Sequence, residues 1–286
     1  MLVLIGAGVV IVAILGGYLM EGGNPFVLFQ PAEFVIIFGA AVGGFLIGTP
    51  MKAVKVVISA ITGVFKGDPY SKQDYLDTLM LLSEIFYKIR KQGLVAIESD
   101  VDRPEESAIF TKYPKVLKDH EAITFITDTL RTVISTQIDP MELEALMDIE
   151  MDEFLKEQMI PSKSVAHVAD ALPGLGIVAA VLGVVLTMGK ISESPEVIGH
   201  SVGAALVGTF LGVLMCYGFA GPLARILEHI AESKAQYMGV LKISLKSFVS
   251  NNAAPQVAIE FGRRIIPVLV RPGFLEVEEA MRRVKK

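Results

Sequence analysis

The sequence predicts an all-α integral membrane protein with four transmembrane helices and a large helical cytoplasmic region. Three observations support this fold class. Four long apolar runs contain no Asp, Glu, Lys or Arg. The basic residues gather in two of the stretches between and after these runs. In the polar stretches, apolar residues recur at helical spacing and not in the alternation typical of strands.

The four apolar runs are each about as long as a membrane-crossing helix, which needs about 20 residues. They occupy residues 2–20, 34–50, 172–189 and 201–223. The first run lacks the basic start and the cleavage site of a signal peptide, so we expect it to be retained. Four uncharged runs in one chain favour membrane helices over buried helices of a soluble protein.

The distribution of basic residues predicts the orientation in the membrane. Residues 21–33 contain no Lys or Arg, and only Lys190 lies between the third and fourth runs. Because basic residues accumulate on the cytoplasmic side, the stretches 51–170 and 224–286 are predicted to be cytoplasmic, with both termini. The chain then divides into helices 1 and 2 (1–50), a cytoplasmic helical domain (51–170), helices 3 and 4 (171–223) and a C-terminal tail (224–286).

The cytoplasmic stretches are predicted to be helical. An amphipathic helix over 51–67 suits the membrane interface, and apolar residues at helical spacing indicate a helix over 71–91. A further helix is predicted over 140–158, with Asp139 as its N-cap and Pro140 at the first helical position.

After the polar extension of the fourth helix over 225–248, the tail is predicted to consist of short helices, because prolines interrupt it. These prolines are Pro255, Pro267 and Pro272.

Composition excludes several classes of function. The net charge of −5 argues against a nucleic-acid-binding surface. The single cysteine, Cys216, lies in an apolar run, so we expect neither a disulfide framework nor a metal cluster. No Gly-rich phosphate loop or hydrolytic pair occurs, and we expect neither enzymatic activity nor a cofactor. Because the runs lack the acidic groups of a proton relay, the chain is not expected to conduct ions without a partner.

Small residues recur at spacings that let helix backbones approach closely. They are Gly39, Gly43, Gly44 and Gly48 in the second run, Gly174, Gly176, Ala179, Ala180 and Gly183 in the third, and Gly208 and Gly212 in the fourth. Two interpretations stay open at this point. The small residues pack the four helices against each other, or they meet identical neighbours or the helix of a partner protein.

Two prolines and two threonines stand out in the third and fourth runs. The predicted topology places Pro173 and Pro222 at the same membrane level, on adjacent helices. Each proline by itself is typical of a helix boundary, and together they indicate a flexible gate. Thr187 and Thr209 are expected to hydrogen-bond to their own helix backbone.

Three segments resemble a known family. They are HVADALPGLGIVAAVLGVVLTMG (167–189), GAALVGTFLGVLMCYGFAGPLA (203–224) and FGRRIIPVLVRPGFLEVEEA (261–280). They resemble the MotA family of flagellar motor stator subunits, within the MotA/TolQ/ExbB proton channel family, and the similarity extends over essentially the whole chain. It implies a homopentamer in the lipid of the bacterial inner membrane that surrounds a MotB dimer, whose intramembrane Asp carries the ion. The ring then generates torque on the rotor protein FliG.

The resemblance also implies roles for individual residues. Pro173 and Pro222 match the family prolines that couple ion flow to movement, and Arg90 and Glu98 match the charged pair that contacts the rotor. Without the family, Arg90 and Glu98 would be interpreted as a solvated helix face. Glu150 and Asp170 match cytoplasmic positions with a possible coupling role.

The third and fourth runs predict the transported ion. Sodium-driven relatives carry Thr at the position of Ala180, which supplies a hydroxyl group together with the Thr that matches Thr209. Sodium needs several oxygen ligands in place of its hydration shell, and Ala180 offers none. Protons are therefore favoured, on a path that includes Ala180, Thr209, Pro173 and Pro222.

Other functions remain as alternatives. A sodium-driven stator of the PomA type would use the same architecture. An ExbB/TolQ-like energiser of an envelope protein would have three spans, and four are predicted here. A solute transporter would need polar groups at the middle of the membrane, which the apolar runs do not offer, and composition leaves room for a structural scaffold.

Overall fold

A computed structural model describes residues 2–67, 69–136, 138–249 and 253–285. The secondary structure of these described residues is helical and contains no strand, as the sequence predicts. The α-helices are α1 (Leu2–Met20), α2 (Pro31–Gly48), α3 (Met51–Gly63), α4 (Lys72–Gln92), α5 (Glu98–Asp102), α6 (Pro114–Leu117), α7 (His120–Ser135), α8 (Pro140–Gln158), α9 (Ile160–Met188), α10 (Pro195–Leu214), α11 (Gly221–Val249), α12 (Pro255–Ile265) and α13 (Phe274–Lys285). A π-helical segment, Met215–Ala220, joins α10 to α11.

The chain forms two units, each with its own core. We call residues 1–67 and 158–230 the membrane unit, and residues 68–157 and 231–286 the charged unit. The predicted division at residues 50, 170 and 223 concerns the membrane boundaries and stays a prediction.

Among the residues that the structure describes, four helical stretches are long and apolar enough to cross a membrane, which confirms the predicted number. They are Leu2–Met20, Pro25–Gly48, Pro140–Met188 and Pro195–Val249. The first has the predicted bounds, whereas the third combines α8 with α9, and the fourth combines α10, the π-helical segment and α11, so that both include polar sequence. The second contains α2, which begins at Pro31 and not at Phe34. A proline at the first helical position explains this start, because its ring fixes a helical φ and its missing N–H would have had no partner there.

The charged unit is built around α4. A capping box between Ser71 and Asp74 begins this helix, and its predicted apolar stripe is buried against α11, α12 and α13. The stripe is Tyr75, Leu79, Leu82, Ile85, Phe86 and the partly buried Ile89. The rings of Phe86 and Phe248 stack with their centres 4.1 Å apart, which fixes α4 against α11.

The other helices predicted for this unit are also confirmed. Asp139 accepts a 2.8 Å hydrogen bond from the Met141 N–H at the start of α8, as expected for the predicted cap. Pro255 begins α12, and the segment that contains Pro267 and Pro272 separates α12 from α13.

In the membrane unit, α9 and α10 pack with their backbones in direct contact. A Cβ atom on Gly212 would lie 2.5 Å from the Leu172 carbonyl oxygen and 2.9 Å from the Gly176 Cα. A Cβ atom on Gly176 would lie 2.8 Å from the Gly208 carbonyl oxygen. Real side chains do not approach backbone atoms this closely, so only glycine permits the observed packing.

The structure decides between the two interpretations of the small residues. Gly176, Gly183, Gly208 and Gly212 lie in the contact between α9 and α10 and therefore pack the chain internally. A Cβ atom on Gly39, Gly43, Gly44, Gly48 or Gly174 would meet no described atom within 4 Å. These five glycines are free to meet a neighbouring chain, and that part of the second interpretation stays a prediction.

We expect Gly212→Ala to destabilise the chain, because the added methyl group overlaps backbone atoms that cannot rotate away. Overpacking of this kind costs about 1–3 kcal/mol. The measurement is the thermal unfolding midpoint of the purified chain in detergent. Gly199→Ala, in the same helix, is the matched control, because its methyl group enters open space. Equal midpoints for the two variants would contradict the packing described here.

Candidate functional site

An acidic side chain lies inside the membrane unit. Glu33 occupies the first turn of α2 and is 8% exposed. A Cβ atom on Gly208 would lie 2.6 Å from Glu33 Oε2, and one on Gly183 would lie 3.6 Å from Oε1. The carboxyl group therefore occupies space that the absent side chains of these two glycines leave between α9 and α10.

The position of Glu33 corrects the sequence analysis. The prediction that the membrane helices contain no acidic residue is wrong, because it left Glu33 in the loop before a helix that began at Phe34. The helix-start signals in the sequence were sufficient to find it. Pro31 is a residue type favoured at the first helical position, and acidic residues are favoured in the first turn.

The predicted ion-path residues flank this carboxyl group. Ala180 is 9% exposed, and its backbone nitrogen lies 3.1 Å from the Cβ position of Gly208. Thr209 follows Gly208 in α10 and is half-buried. The structure thus brings Glu33 close to Gly208 and Ala180, with Thr209 as the next residue of α10.

The two threonines differ in their hydrogen bonds. The Thr187 hydroxyl donates to the Gly183 carbonyl oxygen at 2.9 Å, so the predicted bond to its own backbone is confirmed. The hydrogen bonds between described residues include none from the Thr209 hydroxyl. This leaves the Thr209 hydroxyl available to another group.

Pro173 lies inside α9, so its interpretation as a helix boundary is wrong, whereas Pro222 lies at the boundary between the π-helical segment and α11. Pro222 is the second residue of α11, directly after the π-helical segment, where the Gly221 N–H bonds to the Cys216 carbonyl oxygen. A proline lacks an N–H and its ring crowds the preceding turn. The wider π turn before Pro222 relieves that crowding.

The contacts between the two long helices show that the prolines lie at different levels. Pro173 neighbours Leu172, whose carbonyl oxygen faces Gly212. Farther along, the Ser162 hydroxyl donates to the Ala224 carbonyl oxygen at 2.9 Å, which places Pro222 opposite residues near 164. The prolines are therefore separated by about nine residues of antiparallel helix, or about 13 Å. The prediction of a shared level is wrong, because sequence alone did not give the register of the helix pair.

Arg90 is exposed in the last turn of α4, but it contacts the protein as well as solvent. Its Nη2 donates to the Ala253 carbonyl oxygen at 3.0 Å, and its guanidinium lies 5.7 Å from the centre of the Phe248 ring. Arg90 therefore ties the end of α4 to the end of α11 and to the start of the tail. Sequence could not predict this contact, since Ala253 is 163 residues away.

Glu98 is exposed at the start of α5. The buried Asp100 holds its segment against α4, because Lys88 Nζ lies 2.5 Å from Asp100 Oδ2. The Ser107 hydroxyl donates to the other oxygen of Asp100 at 2.6 Å. Arg90 and Glu98 thus present opposite charges from anchored segments of one unit.

The remaining predicted residues are at the surface of different units. Glu150 is exposed on α8 in the charged unit, and Asp170 is exposed on α9 in the membrane unit. No group of three or more His, Cys, Asp and Glu residues that could hold a metal ion occurs in the part of the chain that the structure describes.

Comparison with known proteins identifies the family. The model described as motility protein A N-terminal matches residues 4–93, and the model of the MotA/TolQ/ExbB proton channel family matches residues 118–239. The chain is 42% identical over 285 residues to motility protein A of Escherichia coli (strain K12), covering 100% of this chain and 96% of the relative. The chain belongs to the motility protein A family.

Another member of the motility protein A family and two solved structures are also similar to this chain. Motility protein A of Salmonella typhimurium (strain LT2) is 43% identical, with 100% of this chain and 96% of the relative covered. The flagellar MotAB stator complex of Bacillus subtilis contains a chain with the same fold (TM-score 0.73, 21% identity, 94% of this chain and 96% of that one covered). So does MotAB of C. jejuni (TM-score 0.74, 19% identity, 93% and 95% covered).

We expect Arg90→Ala to loosen the start of α12, because it removes the hydrogen bond to Ala253 and the contact with Phe248. A hydrogen bond from a charged donor contributes about 1.5–3 kcal/mol. The measurement is amide hydrogen exchange of residues 253–258 in the full-length chain. Arg103→Ala is the control, since Arg103 only pairs with Glu106 at an exposed site. Unchanged exchange in Arg90→Ala would show that the contact has no effect on stability.

Proposed function

We propose that this chain, a flagellar stator subunit of the motility protein A family, converts proton flow into torque together with a MotB-type partner. The observation that carries this proposal is the position of the Glu33 carboxyl group, which α2 places beside Gly208 and Ala180 at the contact of α9 and α10. That arrangement provides one flank of an ion path, and the partner provides the other.

The partner and the ring follow from the family and from the exposed surfaces of the membrane unit. The solved relatives are complexes of MotA with MotB. In this chain the outward faces of α1, α2 and α9 are apolar and exposed, including Val35, Val181 and Val185. We propose that a homopentamer of this chain surrounds a MotB dimer through part of these faces, with lipid on the rest. The glycines of α2 without internal contacts permit close approach of a neighbouring helix.

The orientation in the membrane completes the proposal. The basic residues concentrate in residues 51–170 and 224–286, so we place both termini and the charged unit on the cytoplasmic side of the bacterial inner membrane. There the exposed Arg90 and Glu98 are positioned to contact the rotor protein FliG through complementary charges. The exposed Glu150 and Asp170 are candidates for the coupling surface.

The proposed gate uses the two prolines at their separate levels. Pro173 has no N–H, so the carbonyl oxygen one turn earlier in α9 lacks its helical hydrogen-bond donor. Pro173 directly follows Leu172, whose carbonyl oxygen contacts Gly212. Pro222 has the same effect beyond the π segment. Two weakened turns about 13 Å apart let the intervening segment of the helix pair bend at both ends.

Protons are the proposed ion. Ala180 is packed against α10 and contributes only a methyl group, so this chain offers the Thr209 hydroxyl and the Glu33 carboxyl group as polar groups at this level. A carboxyl group and a hydroxyl group suit proton transfer, whereas sodium requires several fixed oxygen ligands. A sodium-driven stator remains the alternative that an ion-dependence experiment distinguishes.

We expect motility driven by this chain and its partner to persist without sodium and to stop on addition of a protonophore. The measurement is the swimming speed of a strain that lacks its own stators and expresses this pair. The same strain with a known sodium-driven stator is the control, in which sodium removal must stop rotation. Dependence on sodium together with resistance to the protonophore would contradict the choice of proton.

A further inference from the structure

Glu33 is a buried carboxyl group without a compensating partner. Only 8% of the residue surface is exposed, and its Oε2 atom has no hydrogen-bond partner among the described residues. No ion pair involves it in the described part of the chain. Its two carboxyl oxygens lie beside the Cβ positions of Gly183 and Gly208, and the other atoms near those positions belong to the uncharged Ala179, Ala180 and Ala205. An ionised carboxylate at this position would lose its hydration without compensation from a neighbouring group.

Other titratable groups on the surrounding helices lie farther along them. Lys190 follows the end of α9, His200 and Glu196 lie toward the start of α10, and Asp170 lies toward the cytoplasmic part of α9. All four are exposed. The nearest in sequence is His200, which precedes Ala205 by about one and a half helical turns. None of these groups therefore neutralises Glu33 by direct contact.

The Oε2 atom of Glu33 lies near two of the residues predicted to form the ion path. A Cβ atom on Gly208 would lie 2.6 Å from this oxygen, too close for two real atoms, and the same Cβ position is 3.1 Å from the Ala180 nitrogen. Oε2 thus lies at the level of Ala180 and of Thr209, whose hydroxyl group has no partner within the described chain. A residue that served only to fill space would not need an unpaired polar atom, which is destabilising at a buried site.

We propose that Glu33 is a proton-binding group on the proton path, contributed by this chain in addition to the acid of the partner. Its carboxylate accepts a proton that enters from the non-cytoplasmic side and becomes neutral. The same proton then leaves Oε2 by way of the Thr209 hydroxyl group or water to the carboxylate of the partner, and Glu33 becomes ready for the next proton. This assignment rests on the proposed function, and it adds a second carboxyl group to the proton path.

The test compares proton flux into vesicles that contain the complete complex with its partner. Glu33→Gln keeps the size of the side chain but cannot bind and release a proton, and Glu33→Asp keeps the carboxyl group. We expect Glu33→Gln to assemble with the partner and to lower flux on the order of 100-fold, the effect of losing a proton-transfer group. Glu33→Asp should retain an intermediate flux. Wild-type flux in an assembled Glu33→Gln complex would overturn the proposal.

A measurement on the unaltered complex decides the matter if Glu33→Gln fails to assemble. A hydrophobic carbodiimide reacts with a protonated, buried carboxyl group: an oxygen bonds to the carbodiimide carbon while the proton moves to its nitrogen. Peptide mass spectrometry should locate the adduct on Glu33 near neutral pH, but not on the exposed Glu196. Absence of the Glu33 adduct, with the acid of the partner labelled, would overturn the proposal.

The two proposals fail in different ways. An unaltered complex that conducts no protons contradicts the proposed function, whatever the labelling of Glu33. An unaltered complex that conducts protons equally well with Gln at position 33 contradicts only the assignment of Glu33.

Discussion

The architecture of the membrane unit depends on the backbone contact between α9 and α10. Gly176 and Gly212 have no side chains, so the Leu172 carbonyl oxygen and the Gly208 carbonyl oxygen approach the facing helix at distances that a Cβ atom would block. In lipid there is little hydrophobic force between helices, so close packing of this kind provides much of the attraction that holds them together. The register of these glycines also fixes which residues of the two helices face each other.

That register determines the chemistry of the site. It places Ala180 beside Gly208, leaves a gap at Gly183 and Gly208, and lets α2 insert the Glu33 carboxyl group into the gap. The same register separates Pro173 from Pro222 along the helix pair, so the two weakened turns bound a segment instead of forming a single hinge. A change at one glycine would therefore alter the environment of the carboxyl group as well as the stability of the pair.

Much of the fold was predictable from the sequence, because the signals are local. The four uncharged runs, the stripe from Tyr75 to Phe86 and the cap of α8 by Asp139 each depend on neighbouring residues only. The features that the sequence analysis missed depend on distant contacts. The level of the prolines requires the register of α9 against α10, and the contact of Arg90 with Ala253 joins residues 163 positions apart. Glu33 is a different case, because Pro31 is a local signal for the start of its helix. The predicted helix nevertheless began at Phe34, where the uncharged run begins, and so excluded Glu33.

The most direct test of the account is proton flux into vesicles that contain this chain, with and without its MotB-type partner. In the proposed function the α9–α10 pair provides only one flank of the path, so the account predicts flux when both chains are present and none from this chain alone. Flux should also vanish when the intramembrane Asp of the partner is replaced. Proton flux through this chain without a partner would contradict the account, because the path would then be complete within one protein.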